Sequence, residues 1–128
     1  KIALGDENKI SRICVEDGED AKAFVSENEG EQISLEKLDS FVLRKGIKSI
    51  DFIKIDVEGF EGALLRGASR SIKKFKPIVL IEISQENLDR FKEDADDIIK
   101  FLEKIGYTSF PQPGEDYLFV PHGKKNKS

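Results

Sequence analysis

From residue 34 onward the apolar positions switch repeatedly between two periods. Leu35, Leu38 and Val42 recur at helical spacing behind Ser34, a residue type that caps helix N-termini, and Gly46 stands where a C-terminal cap belongs. The spacing then tightens. Residues 50–57 are rich in β-branched types, with apolar side chains at Ile50, Phe52, Ile53, Ile55 and Val57, and predict a strand buried on both faces, as in a parallel sheet. Gly59 breaks this strand. Leu64, Leu65, Ala68, Ile72 and Phe75 then describe one helical stripe that Pro77 ends, and residues 78–83 predict a second buried strand. Leu88, Phe91, Ala95, Ile98, Ile99, Leu102 and Ile105 mark one face of a further helix, closed by Gly106. Residues 107–110 and 117–120 predict two short strands, joined by the turn Pro111-Gln112-Pro113-Gly114 into an antiparallel hairpin.

The first 33 residues are patterned less clearly. Ile2-Ala3-Leu4-Gly5-Asp6 reads as a strand end and turn, and residues 10–15 as a short strand with Ile13 and Val15 on one face. Asp17-Gly18-Glu19-Asp20 and Glu27-Asn28-Glu29-Gly30 are polar breaks. Strand, helix, strand, helix and a final strand pair predict an open α/β sheet with right-handed crossovers. Ligands on such sheets bind outside the carboxyl ends of the strands, which here carry Asp56, Glu58 and Glu82.

Composition sets the outer bounds. The chain has 128 residues, 38% hydrophobic and 36% charged, enough apolar material for one domain or a large part of one. A net charge of −4 leaves no global footprint for nucleic acid or an anionic membrane. Local basic groups remain: Lys73, Lys74 and Lys76 suit the end of the predicted helix, and residues 122–128, with Lys124, Lys125 and Lys127, read as a basic flexible tail. His122 belongs to that solvated tail. The single cysteine, Cys14, permits no disulfide framework or multi-cysteine zinc site and reads as a small apolar filler, consistent with a cytoplasmic protein. No apolar run reaches the roughly 20 residues of a membrane span, and no signal-peptide pattern opens the chain. The first residue is Lys and the opening reads as mid-strand, so an upstream part of the same domain is expected to be missing.

The chemistry gathers in one place. Asp56, Glu58 and Glu61 fall within six residues at the exit of the most apolar strand and repel one another unless positive charge lies nearby. A helix N-terminus supplies part of that field; a bound cation, such as a sulfonium or a divalent metal, would supply more. The competing reading is that Glu58 and Glu61 only cap the helix that follows. Lys54, between Ile53 and Ile55, either is buried against Asp56 or Glu82 or carries its amine out at the strand edge. Glu82, inside an apolar strand, needs a partner of its own. No Ser-His-Asp spacing, phosphate loop or zinc motif is present.

Residues 33–83 resemble the FkbM methyltransferase family. The resemblance rests on Ser34-Leu35-Glu36-Lys37-Leu38, on residues 50–61 with their core Lys54-Ile55-Asp56-Val57-Glu58-Gly59-Phe60-Glu61, on Leu65-Arg66-Gly67-Ala68 and on Pro77-Ile78-Val79-Leu80-Ile81-Glu82. Ala3-Leu4-Gly5-Asp6 is similar to a further family segment, while Glu36 stands where the family usually has Asp. The resemblance implies the C-terminal part, residues 1–121, of a Rossmann-like class I methyltransferase sheet, mostly parallel with a terminal antiparallel hairpin. It implies S-adenosylmethionine (SAM) as cofactor and methyl transfer to a hydroxyl oxygen of a sugar, glycan or secondary metabolite. Asp56, Glu58 and Lys54 would then be catalytic, with Asp56 beside the transferred methyl. Ala3, Leu4, Gly5 and Asp6 would lie near the adenine, and Glu61 and Glu82 near the acceptor. A divalent metal on Asp56 and a neighbouring carboxylate is compatible with this set. The glycine-rich strand-loop-helix of such folds is absent from the sequence, so the fragment alone is expected to be inactive, to bind little SAM and to be unstable or to self-associate. Two other classes fit the same residues: a metal-dependent phosphoester hydrolase using Asp56, Glu58 and Glu61, and a non-catalytic α/β interaction module.

Overall fold

A computed structural model of the chain describes residues 2–16, 22–26 and 28–123. The predicted turn at 17–20, residue Glu27 and the lysines of the tail at 124–128 lie outside them. The elements in chain order are β1 (Ile2–Leu4), β2 (Lys9–Glu16), β3 (Lys22–Ser26), β4 (Glu31–Glu36), α1 (Leu38–Lys45), β5 (Phe52–Ile55), α2 (Glu61–Gly67), α3 (Ser69–Phe75), β6 (Ile78–Glu82), α4 (Gln85–Asp89), α5 (Ala95–Lys104), β7 (Tyr107–Pro111) and β8 (Asp116–Pro121).

The strands form two four-stranded sheets rather than one, ordered β1-β4-β2-β3 and β5-β6-β8-β7. In each sheet one ladder is parallel (β1 with β4, β5 with β6) and two are antiparallel, so the expectation of a mostly parallel sheet is corrected. The cause in the second sheet is the terminal hairpin. β8 enters between β6 and β7, antiparallel to both, which leaves β5, β6 and β7 pointing the same way. Residues 31–36 pair with β1 and β2, so Ser34 is a strand residue and not a helix cap. Helix α1 starts later, after Lys37, and ends at Gly46 in the left-handed conformation, as predicted.

Two predicted helices are each divided. The stripe 64–75 breaks at Ala68 between α2 and α3, and the stripe 88–105 breaks between α4 and α5, where Lys92 adopts φ 55°. Gly67 lets α2 end against the turn that follows β1: a Cβ there would lie 1.9 Å from the Gly5 carbonyl oxygen, so only glycine allows this approach. Helix α3 restarts with its N-terminal amides on Asp39 of α1, whose carboxylate accepts from Arg70 N–H (3.1 Å), Ser71 N–H (2.8 Å) and the Ser71 hydroxyl (2.7 Å).

The core lies on one face of the second sheet. Ile55, Val79, Ile81 and Phe119 pack there with Leu65, Ile72, Leu88 and Leu102 from the helices. The other face is open, because Phe52 and Phe110 are each about half exposed and Lys54 is exposed. β5 is therefore covered on one face only, against the expectation from its composition, and it forms an edge of its sheet. No helix of the described residues is long and apolar enough to cross a membrane.

Candidate active site

The parallel strands β5 and β6 end side by side, and each runs into a short turn before a helix. In the first turn Glu58 takes a left-handed backbone (φ 50°) and Gly59 follows at φ 101°. A Cβ on Gly59 would lie 2.2 Å from the Asn87 carbonyl oxygen, so the turn depends on glycine for both its conformation and its contact with α4. The Gly59 N–H donates to the Glu61 carboxylate at 2.8 Å and 3.3 Å. In the second turn the Ser84 hydroxyl accepts from Asn87 N–H and caps α4. The Asn87 side chain then donates to Glu58 Oε2 at 2.8 Å, which ties the two turns together.

This arrangement gathers carboxylates at one rim. Glu61 is 1% exposed, and burial, reinforced by the charges of Asp56 and Glu82, pushes its pKa up to about 7 despite the backbone hydrogen bonds that oppose the shift. Burial also raises the pKa of Glu82, followed by the charges of Asp56, Glu58, Asp116 and Glu115. Asp116 is the register partner of Glu82, and the Glu115 carbonyl accepts from Ile83 N–H at 2.8 Å. None of these rim carboxylates has an ion-pair partner among the described residues.

Of the residues singled out in the sequence, Asp56, Glu58, Glu61 and Glu82 are thus brought together. Asp56 is exposed at the rim. Glu61 faces inward with its carboxylate engaged by Gly59 N–H of its own turn, and no side-chain hydrogen bond caps the N-terminus of α2, so Glu61 does not cap that helix. Lys54 is exposed on the side of β5 away from the core and makes no ion pair among the described residues. In the segment 3–6, Gly5 N–H donates to the Glu36 carbonyl, Gly5 lies against the Phe60 ring, and Asp6 reaches Arg66 at 3.4 Å. His122 is held to the hairpin by Thr108 (2.9 Å) and by the Gly106 carbonyl (2.8 Å), rather than belonging to a free tail. No set of three His, Cys, Asp or Glu side chains among the described residues could hold a metal ion, so Asp56, Glu58 and Glu61 do not form the ligand cluster that the hydrolase reading requires.

The sequence reading missed Asn87, Glu115 and Asp116. Asn87 carries a usable signal, since it stands three residues after the capping Ser84 at a strand end. Glu115 and Asp116 carry none, because their approach to Glu82 depends on β8 pairing with β6, which local pattern does not encode.

Residues 3–109 match the sequence model of the methyltransferase FkbM domain. The chain belongs to the FkbM methyltransferase domain family. A crystal structure of methyltransferase FkbM from Methylobacillus flagellatus superposes with a TM-score of 0.53 at 19% identity, over 93% of this chain and 27% of that one. At that identity the likeness speaks for the fold alone, and the chain spans about a quarter of the FkbM structure it matches. No curated protein matches the chain. The matched FkbM segment takes in both sheets up to β7, together with the turns that carry Asp56, Glu58, Glu61 and Glu82.

Proposed function

We propose that the rim at the ends of β5 and β6 is the acceptor side of a SAM-dependent O-methyltransferase site, acting on a hydroxyl group of a small molecule or glycan. The supporting observation is charge. Asp56, Glu58 and Glu82 crowd at one strand-end rim without a cationic partner among the described residues, and the pKa of Glu82 is raised, first by burial and then by the charges of Asp56 and Glu58. Such a rim fits a cation, and the positive end of SAM is one that the family provides for. SAM, when bound, supplies an electrophilic methyl group on its sulfonium.

In this reading the chain's own residues do three things. Asp56, exposed at the rim, accepts a hydrogen bond from the acceptor hydroxyl and takes its proton as oxygen attacks carbon. Glu58 and Glu82 hold negative potential at the rim, with Glu58 fixed by Asn87. Glu61 takes no part in the reaction itself; it holds Gly59 and so sets the direction in which the turn leaves β5. Most of the rate gain would come from alignment of the reacting atoms. Lys54, exposed and without an ion pair among the described residues, supplies no step.

The experiment is methyl transfer from isotopically labelled SAM by the polypeptide that carries this chain, with and without Asp56→Asn. Loss of a general base of this kind lowers kcat by about 10²–10⁴-fold. Turnover equal to the parent removes Asp56 from the mechanism. Calorimetry with SAM on the 128-residue chain separately reports whether the rim alone binds it.

A further inference from the structure

A cavity of about 500 Å³ lies between the β2–β3 hairpin and the segment that runs from Gly59 through α2, with residues 90–93 closing it. This is the size range, roughly 300–1,000 Å³, of pockets that enclose small molecules. Its apolar wall is made by Phe24, Leu35, Phe60, Ala63 and Phe91. Phe60 and Phe91 meet edge to face, with ring centroids 5.2 Å apart and planes at 66°. Aromatic walls of this kind favour a ring in the ligand over an open chain.

The charges around the cavity nearly all have partners. Arg66 takes Glu93 at 2.8 Å and Asp6 at 3.4 Å, and Glu7 is paired with Lys9 at 2.7 Å. Arg90 is the exception. Its guanidinium lies 3.9 Å from the centre of the Phe24 ring and donates to the Glu58 carbonyl at 3.4 Å, yet it has no ion pair among the described residues. A guanidinium braced on an aromatic face presents its remaining N–H groups as a fixed fork, the geometry that takes a carboxylate through two bonds. The acidic side chains Asp6, Glu7 and Glu93 on the same wall penalise a polyanion, so a single negative charge fits better than a nucleotide.

We propose that this cavity binds a flat ring bearing one anionic group, the ring against Phe60 and Phe91 and the carboxylate on Arg90. Because Arg90 also holds the Glu58 carbonyl, the ligand sits next to the carboxylate rim. That it is the methyl acceptor rests on the reading under Proposed function; that it binds does not.

The test is calorimetric titration of the full chain with two probes of equal shape, 2-naphthoate and 2-naphthamide, and of the variants Arg90→Gln and Arg90→Lys. The carboxylate should bind about tenfold or more tightly than the amide, as a charge-assisted hydrogen bond predicts. Arg90→Gln should remove that preference and leave naphthamide unchanged. Arg90→Lys, which keeps the charge but not the fork, should recover only part of it. Arg90 is exposed, so the variants are expected to fold, and thermal melts check this. Equal affinity for the two probes, an undiminished preference in both variants, or no binding of either at millimolar concentration overturns the proposal. The titration contains no SAM, so its failure would leave the methyl-transfer reading standing, and absence of methyl transfer would leave the binding result standing.

Discussion

Glu61 shows how one buried carboxylate sets a condition on the whole fold. Its pKa is raised to about 7, chiefly by burial, while in the unfolded chain it returns to the ordinary carboxylate range. Between those values the folded state binds more protons than the unfolded state, so stability falls as pH rises through this window and the full penalty applies above about 7. The raised pKa of Glu82 acts in the same direction. The thermal midpoint is therefore expected to drop by several degrees between pH 5 and pH 8. Glu61→Gln keeps an acceptor for Gly59 N–H without the charge and should flatten most of that slope. A melting curve series at constant ionic strength measures both. A slope unaltered by the substitution would place the cost elsewhere.

Helix α2 is fixed by its two ends, and its C-terminal end is the more demanding. At Gly67 an alanine would gain about 1 kcal/mol of helix propensity. It would also place a methyl group 1.9 Å from the Gly5 carbonyl oxygen, a backbone atom that cannot rotate away. Overpacking of this kind costs about 1–3 kcal/mol, so the clash outweighs the propensity. Gly67→Ala is expected to destabilise the chain in urea unfolding; an unchanged or raised midpoint would mean that β1 and α2 separate freely. Elements that depend on neighbouring residues were legible in the sequence: β5, β6, the terminal hairpin and the glycine stops at 46 and 106 all follow from local period and turn chemistry. β4 was not, because Ser34 and Leu35 satisfy a helix-cap pattern equally well and only pairing with β1 and β2 decides between them. The breaks in the two divided helices are hidden in the sequence for the same reason. A stripe of apolar residues runs on across a break when both halves pack on one core, and the cap that restarts α3 comes from Asp39, about thirty residues earlier.

The whole molecule is two mixed sheets, one of them covered on a single face. Phe52 and Phe110 remain about half exposed on the open face, and β5 offers an unpaired edge among the described residues. Such edges template further pairing. The chain is expected to self-associate with rising concentration, and the double substitution Phe52→Lys with Phe110→Lys should shift it towards monomer in sedimentation velocity. A monomer at all concentrations would show the edge to be protected. At the same scale, the bond from Asn87 to Glu58 and the seating of Gly59 on the Asn87 carbonyl join the ends of β5 and β6 into one cooperative unit. Fraying of either turn breaks contacts of the other. The carboxylates the two turns carry are therefore expected to share one opening equilibrium, which hydrogen exchange of the Gly59 and Asn87 amides would report as matching rates.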